Sequence, residues 1–328
     1  MRIISLEEHY ATPAFMEASK HRLRDQGNKA PDRGSEPTLI DRLCDLGDLR
    51  GGEMDAAGID IQVLSLTSPG VQQMEAAQAV AIAREQNDYL ADHVRRYPDR
   101  YATFAALPTP VPDKAAEELE RTVSKYGFKG AAIMGHTRGR YLDDEFFRPV
   151  LESAAALKVP ICIHPTPPPP TVIEASYTGN YAPNVAALLS TTAFGWHIET
   201  AIHCLRLVAS GAFDRYPNLQ ILIGHLGEAI PFMLSRIDQR LPREQTHLER
   251  SSAAYFRENF SYTFSGFNYL PTFLNLLLQV GVGRILFSAD YPYSSMESAR
   301  RFLEQLPVSP ADKEQIAHGN AERLLRIG

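Results

Sequence analysis

Five side chains of the kind that bind metals interrupt apolar runs in this sequence: Glu7 and His9 in LEEHY, His164 in CIHP, His225 in IGHLGE and Asp290 in FSADYP. Carboxylates and neutral imidazoles suit Zn²⁺, Mn²⁺ or Fe²⁺, and a shell that the protein leaves incomplete keeps positions for water or substrate. Side chains two apart on a strand share a face, so Glu7 and His9 are expected to project together. Taken singly, each histidine is more often a hydrogen-bonded structural residue than a ligand. The metal reading therefore depends on whether the fold gathers these residues in one place.

The elements that would gather them are short apolar, β-branched runs alternating with stretches of helical period, the pattern of strand–helix units around a parallel sheet. Strands are predicted over Arg2–Leu6, Ile61–Leu66, Tyr101–Leu107, Phe128–Met134, Val159–His164, Leu219–His225, Asn259–Phe264 and Arg284–Asp290. Helices are predicted over Gln72–Arg96, Pro112–Lys125, Asp144–Leu157, Ile198–Ser210, Glu228–Arg240, Leu270–Val280, Ser295–Leu306 and Pro310–Ile327. Eight such units make an α/β (β/α)8 TIM-type barrel, which ordinarily takes about 250 residues. The chain has 328. The excess falls at about 11–50 and 165–196, after the first and fifth strands, where insertions would cap the active-site face of one domain spanning 1–328. A doubly wound open sheet is the alternative fold.

In a barrel the first, fifth, sixth and eighth strands deliver their carboxyl ends to one mouth, so the five side chains converge there and the joint reading favours a metal site. The other histidines read differently. His21, His93, His247 and His318 fall in loops or on polar helical faces, and His136 follows the fourth strand and could line the pocket. His197 and His203, six apart near a helix start, would not share a face and are not read as a site.

Composition narrows the partners. With 44% hydrophobic and 22% charged residues the chain can bury a substantial core. A net charge of -6 gives no basic footprint for nucleic acid or an anionic membrane, so an anionic substrate must be held by local arginines. Cys44, Cys162 and Cys204 make neither a disulfide framework nor a thiolate cluster, which points to a reducing cytoplasm and away from a closed structural zinc site. Without a signal-like segment or an apolar run near 20 residues, the chain reads as soluble and not exported.

The spacing of LEEHY, IHP, GHLGE and SADYP, together with the connecting pieces MDAAGIDIQVLSLTSPGVQ, YGFKGAAI, GAFDRYPNLQILIGHLGEAIPFMLSRID and NAERLL, resembles the amidohydrolase-related metal-dependent decarboxylases. That group includes γ-resorcylate, 2,3-dihydroxybenzoate and 5-carboxyvanillate decarboxylases and, more distantly, aminocarboxymuconate-semialdehyde decarboxylase. The resemblance implies Glu7, His9, His164 and Asp290 as ligands of one divalent ion, Zn²⁺ or Mn²⁺, with no organic cofactor. It implies His225 and Glu228 as a pair beside the substrate, Arg236 as a substrate contact, and Arg50 as an arginine reaching a carboxylate in a neighbouring subunit's site. It also implies a homodimer or homotetramer.

Loss of CO₂ from an aromatic acid leaves a carbanion unless the ring carbon is protonated first. Asp290 is therefore expected to act as general acid, with His225 and Glu228 tuning the proton inventory. Phe194, Trp196 and Tyr293 are candidates to clamp a ring and exclude water. The same residues could instead serve a metal-dependent hydrolase, of a lactone or amide, or a hydratase, with Asp290 or His225 accepting a proton from water. A metal-bound barrel without catalysis is the third reading.

Overall fold

A computed structural model describes residues 1–19 and 37–327, so His21 and part of the expected 11–50 insertion lie outside the described residues. Nine strand segments are formed: β1 (Ile4–Tyr10), β2 (Ile61–Leu66), β3 (Tyr101–Thr103), β4 (Ala105–Ala106), β5 (Ala131–Met134), β6 (Ile161–His164), β7 (Ile221–Ile223), β8 (Phe260–Thr263) and β9 (Ile285–Leu286). All pair in parallel and in chain order. β3 and β4 are two pieces of one strand around Phe104, whose N–H still donates to the Leu64 carbonyl while Ala105 donates to Gly130. The described strands thus occupy the eight positions expected of the barrel.

The ring closes without a regular ladder between β9 and β1. The Leu6 N–H donates to the Phe287 carbonyl at 3.0 Å and the His9 N–H to the Tyr291 carbonyl at 2.8 Å. Between them the Glu8 carboxylate accepts from the main-chain N–H groups of Ala289 and Tyr291, each at 2.8 Å, and from Ser5 Oγ at 2.5 Å. Glu8 is fully buried, and the three donors satisfy oxygens that would otherwise be stranded.

Two apolar layers follow from strand alternation. Ile4, Leu6, Val63, Phe104, Cys162 and Leu222 fill the barrel interior, whereas Ile3, Tyr10, Leu64, Ile133 and Ile163 pack outward against the helices. The alternation changes phase in β1. Ser5 pairs with Gln62 but Glu8 with Leu64, so Leu6 and Glu7 together face Val63 in a β-bulge. Unbroken alternation from Ile4 and Leu6 would turn Tyr10 inward and His9 outward. The bulge, with Glu7 in the left-handed region at φ 62, reverses this.

Helices follow each strand, several opened by proline in the first turn: Ala76–Arg96, Pro112–Tyr126, Arg148–Leu157, Gly195–Ala209, Ile230–Arg240, Leu270–Val280 and Met296–Gln305. The segment expected as one terminal helix is broken into Pro310–Glu314, a π-turn over Gln315–Gly319, and Asn320–Leu325. Residues 165–196 hold two short helices, Pro170–Tyr177 and Pro183–Ser190, after β6. No helix among the described residues is long and apolar enough to cross a membrane.

Glu8→Ala leaves two buried N–H groups and a hydroxyl without an acceptor. The expected loss is about 3 kcal/mol of unfolding free energy by urea titration, with E8Q retaining part of it. An unchanged midpoint in E8A would show that the seam does not depend on this carboxylate.

Candidate active site

The strand ends deliver their polar side chains to one mouth, where Glu7, His9 and His164 turn a hydrogen-bonded atom to the protein and a free atom to their neighbours. Glu7 Oε2 accepts from Thr263 Oγ1 at 2.6 Å and from Ser265 Oγ, leaving Oε1 buried without a hydrogen-bond partner. His164 Nδ1 meets the Pro165 carbonyl at 2.8 Å. A carbonyl can only accept, so this bond fixes the proton on Nδ1 and leaves the Nε2 lone pair free. His9 Nδ1 faces Ser65 Oγ at 3.4 Å. Its Nε2 has no hydrogen-bond partner and stands 3.2 Å from Asp290 Oδ1, itself a buried atom with none.

These free atoms are close together. His9, His164 and Asp290 each offer a ligand atom within 4.8 Å of the others. Glu7 Oε1 lies 3.8 Å from His164 Nε2, and the two imidazole rings meet edge to face at 4.6 Å. Gly224 makes room for the Glu7 carboxylate, since a Cβ there would come within 2.4 Å of Oε1. Three buried polar atoms without partners would be costly unless something bridges them. One carboxylate oxygen and two imidazole nitrogens brought together, with the Glu7 carboxylate beside His164, are a donor set that a divalent cation fits.

Behind this group stands an ion pair. Glu228 is buried, with Oε1 against His225 Nδ1 at 2.7 Å and Oε2 against His197 Nδ1 at 2.6 Å. Burial opposes the charge on His225, but the adjacent Glu228 carboxylate, helped by Glu7 and Asp290, outweighs it and lifts the imidazole to about 9. Burial likewise opposes ionisation of Glu228, yet His225 and His197 hold it down at about 2. Glu7 and Asp290 lack such a partner in contact, and burial pushes both up to about 7. Burial also drives His9 down to about 3 and keeps His164 well below its ordinary value, so both are neutral.

The local backbone is unusual where these residues sit. Asp290 has φ 66, and His225, Leu226, Glu228 and Ala229 all lie between 51 and 65. Conformations of this kind in residues other than glycine cost about 1–3 kcal/mol each and concentrate at functional sites. They also explain why β7 and β9 stop short of the predicted spans, since the chain leaves the ladder to form these turns.

Other expected site residues stand elsewhere. Arg50 is fully buried and spent on its own chain. It donates to the carbonyls of His9 (2.6 Å), Arg42 (3.0 Å) and Asp45 (3.0 Å) and to Gln62 Oε1 (3.1 Å), and it stacks on Tyr291. The expectation that it reaches another subunit is therefore corrected: it props the backbone beneath His9. Arg236 lies on the exposed side of Ile230–Arg240, bonded to Gln239 Oε1 at 3.2 Å rather than to the site. Phe194 is 51% exposed ahead of the helix at Gly195, so the wall it was expected to form comes from other rings. Tyr293 lies edge-on to His9 at 5.5 Å, its hydroxyl 2.5 Å from Thr67 Oγ1. Phe267, not anticipated, abuts both His225 and His197 at 5.1 Å. His197 was also missed, because it was weighed only against His203, which instead accepts the Leu142 N–H.

His225 carries its charge below about 9, and the stability its pairing contributes is lost as pH rises through that value. In the metal-free protein its ring proton resonance is expected to titrate near pH 9, and in E228Q to move down. A midpoint unmoved by E228Q would refute the pairing as the cause.

Comparison with known proteins agrees with this geometry. The Amidohydrolase family model (Amidohydro_2) matches residues 40–327. The chain is 39% identical over 336 residues to the γ-resorcylate decarboxylase of Polaromonas sp., covering 99% of this chain and 98% of that one. It is similar in structure to a 2,6-dihydroxybenzoate decarboxylase solved with 2,6-dihydroxybenzoate, at TM-score 0.88, 36% identity and 100% coverage of both chains. A 5-carboxyvanillate decarboxylase from Novosphingobium aromaticivorans, solved with manganese and 4-hydroxy-3-methoxy-5-nitrobenzoic acid, matches at TM-score 0.89 and 34% identity over 99% of this chain and 96% of that one. With its strands in barrel order and its donor atoms at one mouth, the chain belongs to the amidohydrolase family.

Proposed function

We propose that this protein is a metal-dependent, non-oxidative decarboxylase of a small hydroxylated aromatic carboxylic acid. The observation that carries the reading is the set of partnerless buried atoms, Glu7 Oε1, His9 Nε2 and Asp290 Oδ1, turned toward His164 Nε2 beside a charged His225–Glu228 pair. Full-length similarity to γ-resorcylate and 2,6-dihydroxybenzoate decarboxylases supports the substrate class. Glu7, His9, His164 and Asp290 would hold one divalent ion, with Mn²⁺ or Zn²⁺ as candidates. That ion would supply Lewis-acid charge neutralisation for a carboxylate and its ortho hydroxyl.

The chain's own residues do the rest. Burial pushes the Asp290 carboxyl up in the metal-free protein, and its Oδ1 is buried without a hydrogen-bond partner, so Asp290 is the group placed to carry a proton. It delivers that proton to the ring carbon bearing the carboxylate. The C–COO⁻ bond then breaks, its electron pair restores the aromatic ring, CO₂ leaves, and Asp290 regains a proton before the next turnover. With Arg50 buried in the scaffold and Arg236 on the outer face of its own subunit, His225 is, among the described residues beside the candidate ligands, a cation placed to meet the acid substrate. Glu228 keeps it charged and turned. Tyr293 beside His9 and Phe267 beside His225 offer apolar ring faces that orient an aromatic substrate and exclude water.

We also read the protein as a homo-oligomer. Phe232 (79% exposed) and Met233 on Ile230–Arg240 and Leu274 and Leu278 (85% exposed) on the adjoining Leu270–Val280 form an apolar face of the kind that oligomers cover. Arg236 lies on the first of these helices, so a second copy docked there is the arrangement in which this arginine could still meet a substrate. F232E/L278E is expected to lower the mass measured by light scattering to that of a monomer.

Chelation is expected to abolish activity, and Mn²⁺ or Zn²⁺ to restore it. In D₂O with a panel of ortho-hydroxybenzoates, product should carry deuterium at the carbon that lost CO₂. D290N is expected to lower kcat by roughly 10²–10⁴-fold with the metal still bound. Metal-replete protein that releases no CO₂ from any member, yet opens a lactone, would overturn the decarboxylase reading in favour of hydrolysis.

A further inference from the structure

The Glu228 carboxylate is held by two imidazoles, and only one of them borders the candidate metal ligands. His225 takes Oε1 and His197 takes Oε2, at 2.7 and 2.6 Å, with the two rings 4.7 Å apart. The second nitrogen of His197 is also occupied. Trp196 Nε1 donates to His197 Nε2 at 3.0 Å. An indole N–H can donate but never accept, so His197 Nε2 must present a lone pair. The remaining proton of a neutral ring then sits on Nδ1, where it points at Glu228. The alternative forms each fail locally. A proton on Nε2 alone would oppose the indole N–H and turn the Nδ1 lone pair on a carboxylate oxygen. A doubly protonated ring would still oppose the indole.

We infer that His197 is a positioning residue, locked by Trp196 as the neutral Nδ1–H tautomer, which pins the second oxygen of Glu228 so that the first stays on His225. Because His197 is neutral in this arrangement, Glu228 serves one cation, and the four-residue chain Trp196–His197–Glu228–His225 holds a single ion pair with its polarity fixed. The placement is built into the fold. The helix carrying both residues begins at Gly195, where a Cβ would lie 2.3 Å from the Ser190 carbonyl oxygen, so the turn closes only without a side chain there. Phe267 abuts the His197 ring at 5.1 Å. The catalytic consequence rests on the decarboxylase reading. The tautomer does not.

Two measurements separate them. The first labels histidine with ¹⁵N in the zinc-loaded protein and reads the ring nitrogens by two-bond ¹H–¹⁵N correlation, with H197N to assign the signals. His197 is expected to show a protonated Nδ1 and a bare Nε2, and W196F to release this preference. A wild-type His197 that is protonated on Nε2, or on both nitrogens, overturns the inference whether or not the enzyme turns over any hydroxybenzoate. The second measures kcat and KM. H197L, which fills the space without donating, is expected to lose ~10-fold in kcat with little change in KM, at the lower end of what outer partners of a site contribute. An asparagine amide reaches the Nδ1 position and a glutamine amide the Nε2 position. H197N should therefore recover most of the kcat lost in H197L, and H197Q should not. Equal kcat in H197L and wild type, or equal rescue by both amides, would reduce His197 to packing.

Discussion

The carboxylate of Glu8 reinforces the seam between the first and last strands, where two main-chain hydrogen bonds stand in for a regular ladder. By accepting the N–H groups of Ala289 and Tyr291 it grips the main chain on both sides of Asp290. Its own sequence neighbours, Glu7 and His9, turn into the mouth. The 3.2 Å approach of His9 to Asp290 is thus set across a joint made by the intervening residue. The left-handed backbone at Glu7 and Asp290 is held from the same place. A buried carboxylate that accepts three hydrogen bonds is rigid because both oxygens lost to solvent have gained directional bonds. Here that rigidity is delivered to the residues that need it.

Charge is distributed around this joint by burial and by pairing. Burial pushes the carboxyls of Glu7, Glu8 and Asp290 up to about 7, two imidazoles are stripped of their proton, and a third imidazole is kept charged by Glu228, which is held low. Groups of one chemical type have been driven apart by their surroundings, which is how one group of strand ends can offer candidate ligands, an acid and a cation at one pH. His9 and His164 do not have to release a proton before binding a cation.

The barrel was legible because apolar runs and helical periods alternate, and the strand-end residues were legible because a polar side chain there interrupts a buried run. Register was not. Nothing in RIISLEEHY announces that Leu6 and Glu7 share one partner, and the bulge decides which residues face the mouth. His197 escaped because periodicity compares residues along one element, whereas its partner Glu228 lies beyond the next strand. Arg50 and Arg236 were placed by local resemblance. A string of residues does not encode whether a guanidinium will meet carbonyls of its own chain, as Arg50 does, or face outward like Arg236.

The bulge at Glu7 has a bearing on how the molecule assembles. The candidate donor atoms include those at positions 7 and 9 at one end of the chain and 290 near the other, so the proposed metal site is not assembled until the first and last strands have met. A cation bound there favours the closed ring over every state in which the seam is open, by an amount that grows with its concentration over its dissociation constant. In the proposed holoenzyme the ion would be a clasp as well as a reagent, and an incomplete chain that lacks the last strand would have nowhere to fasten it.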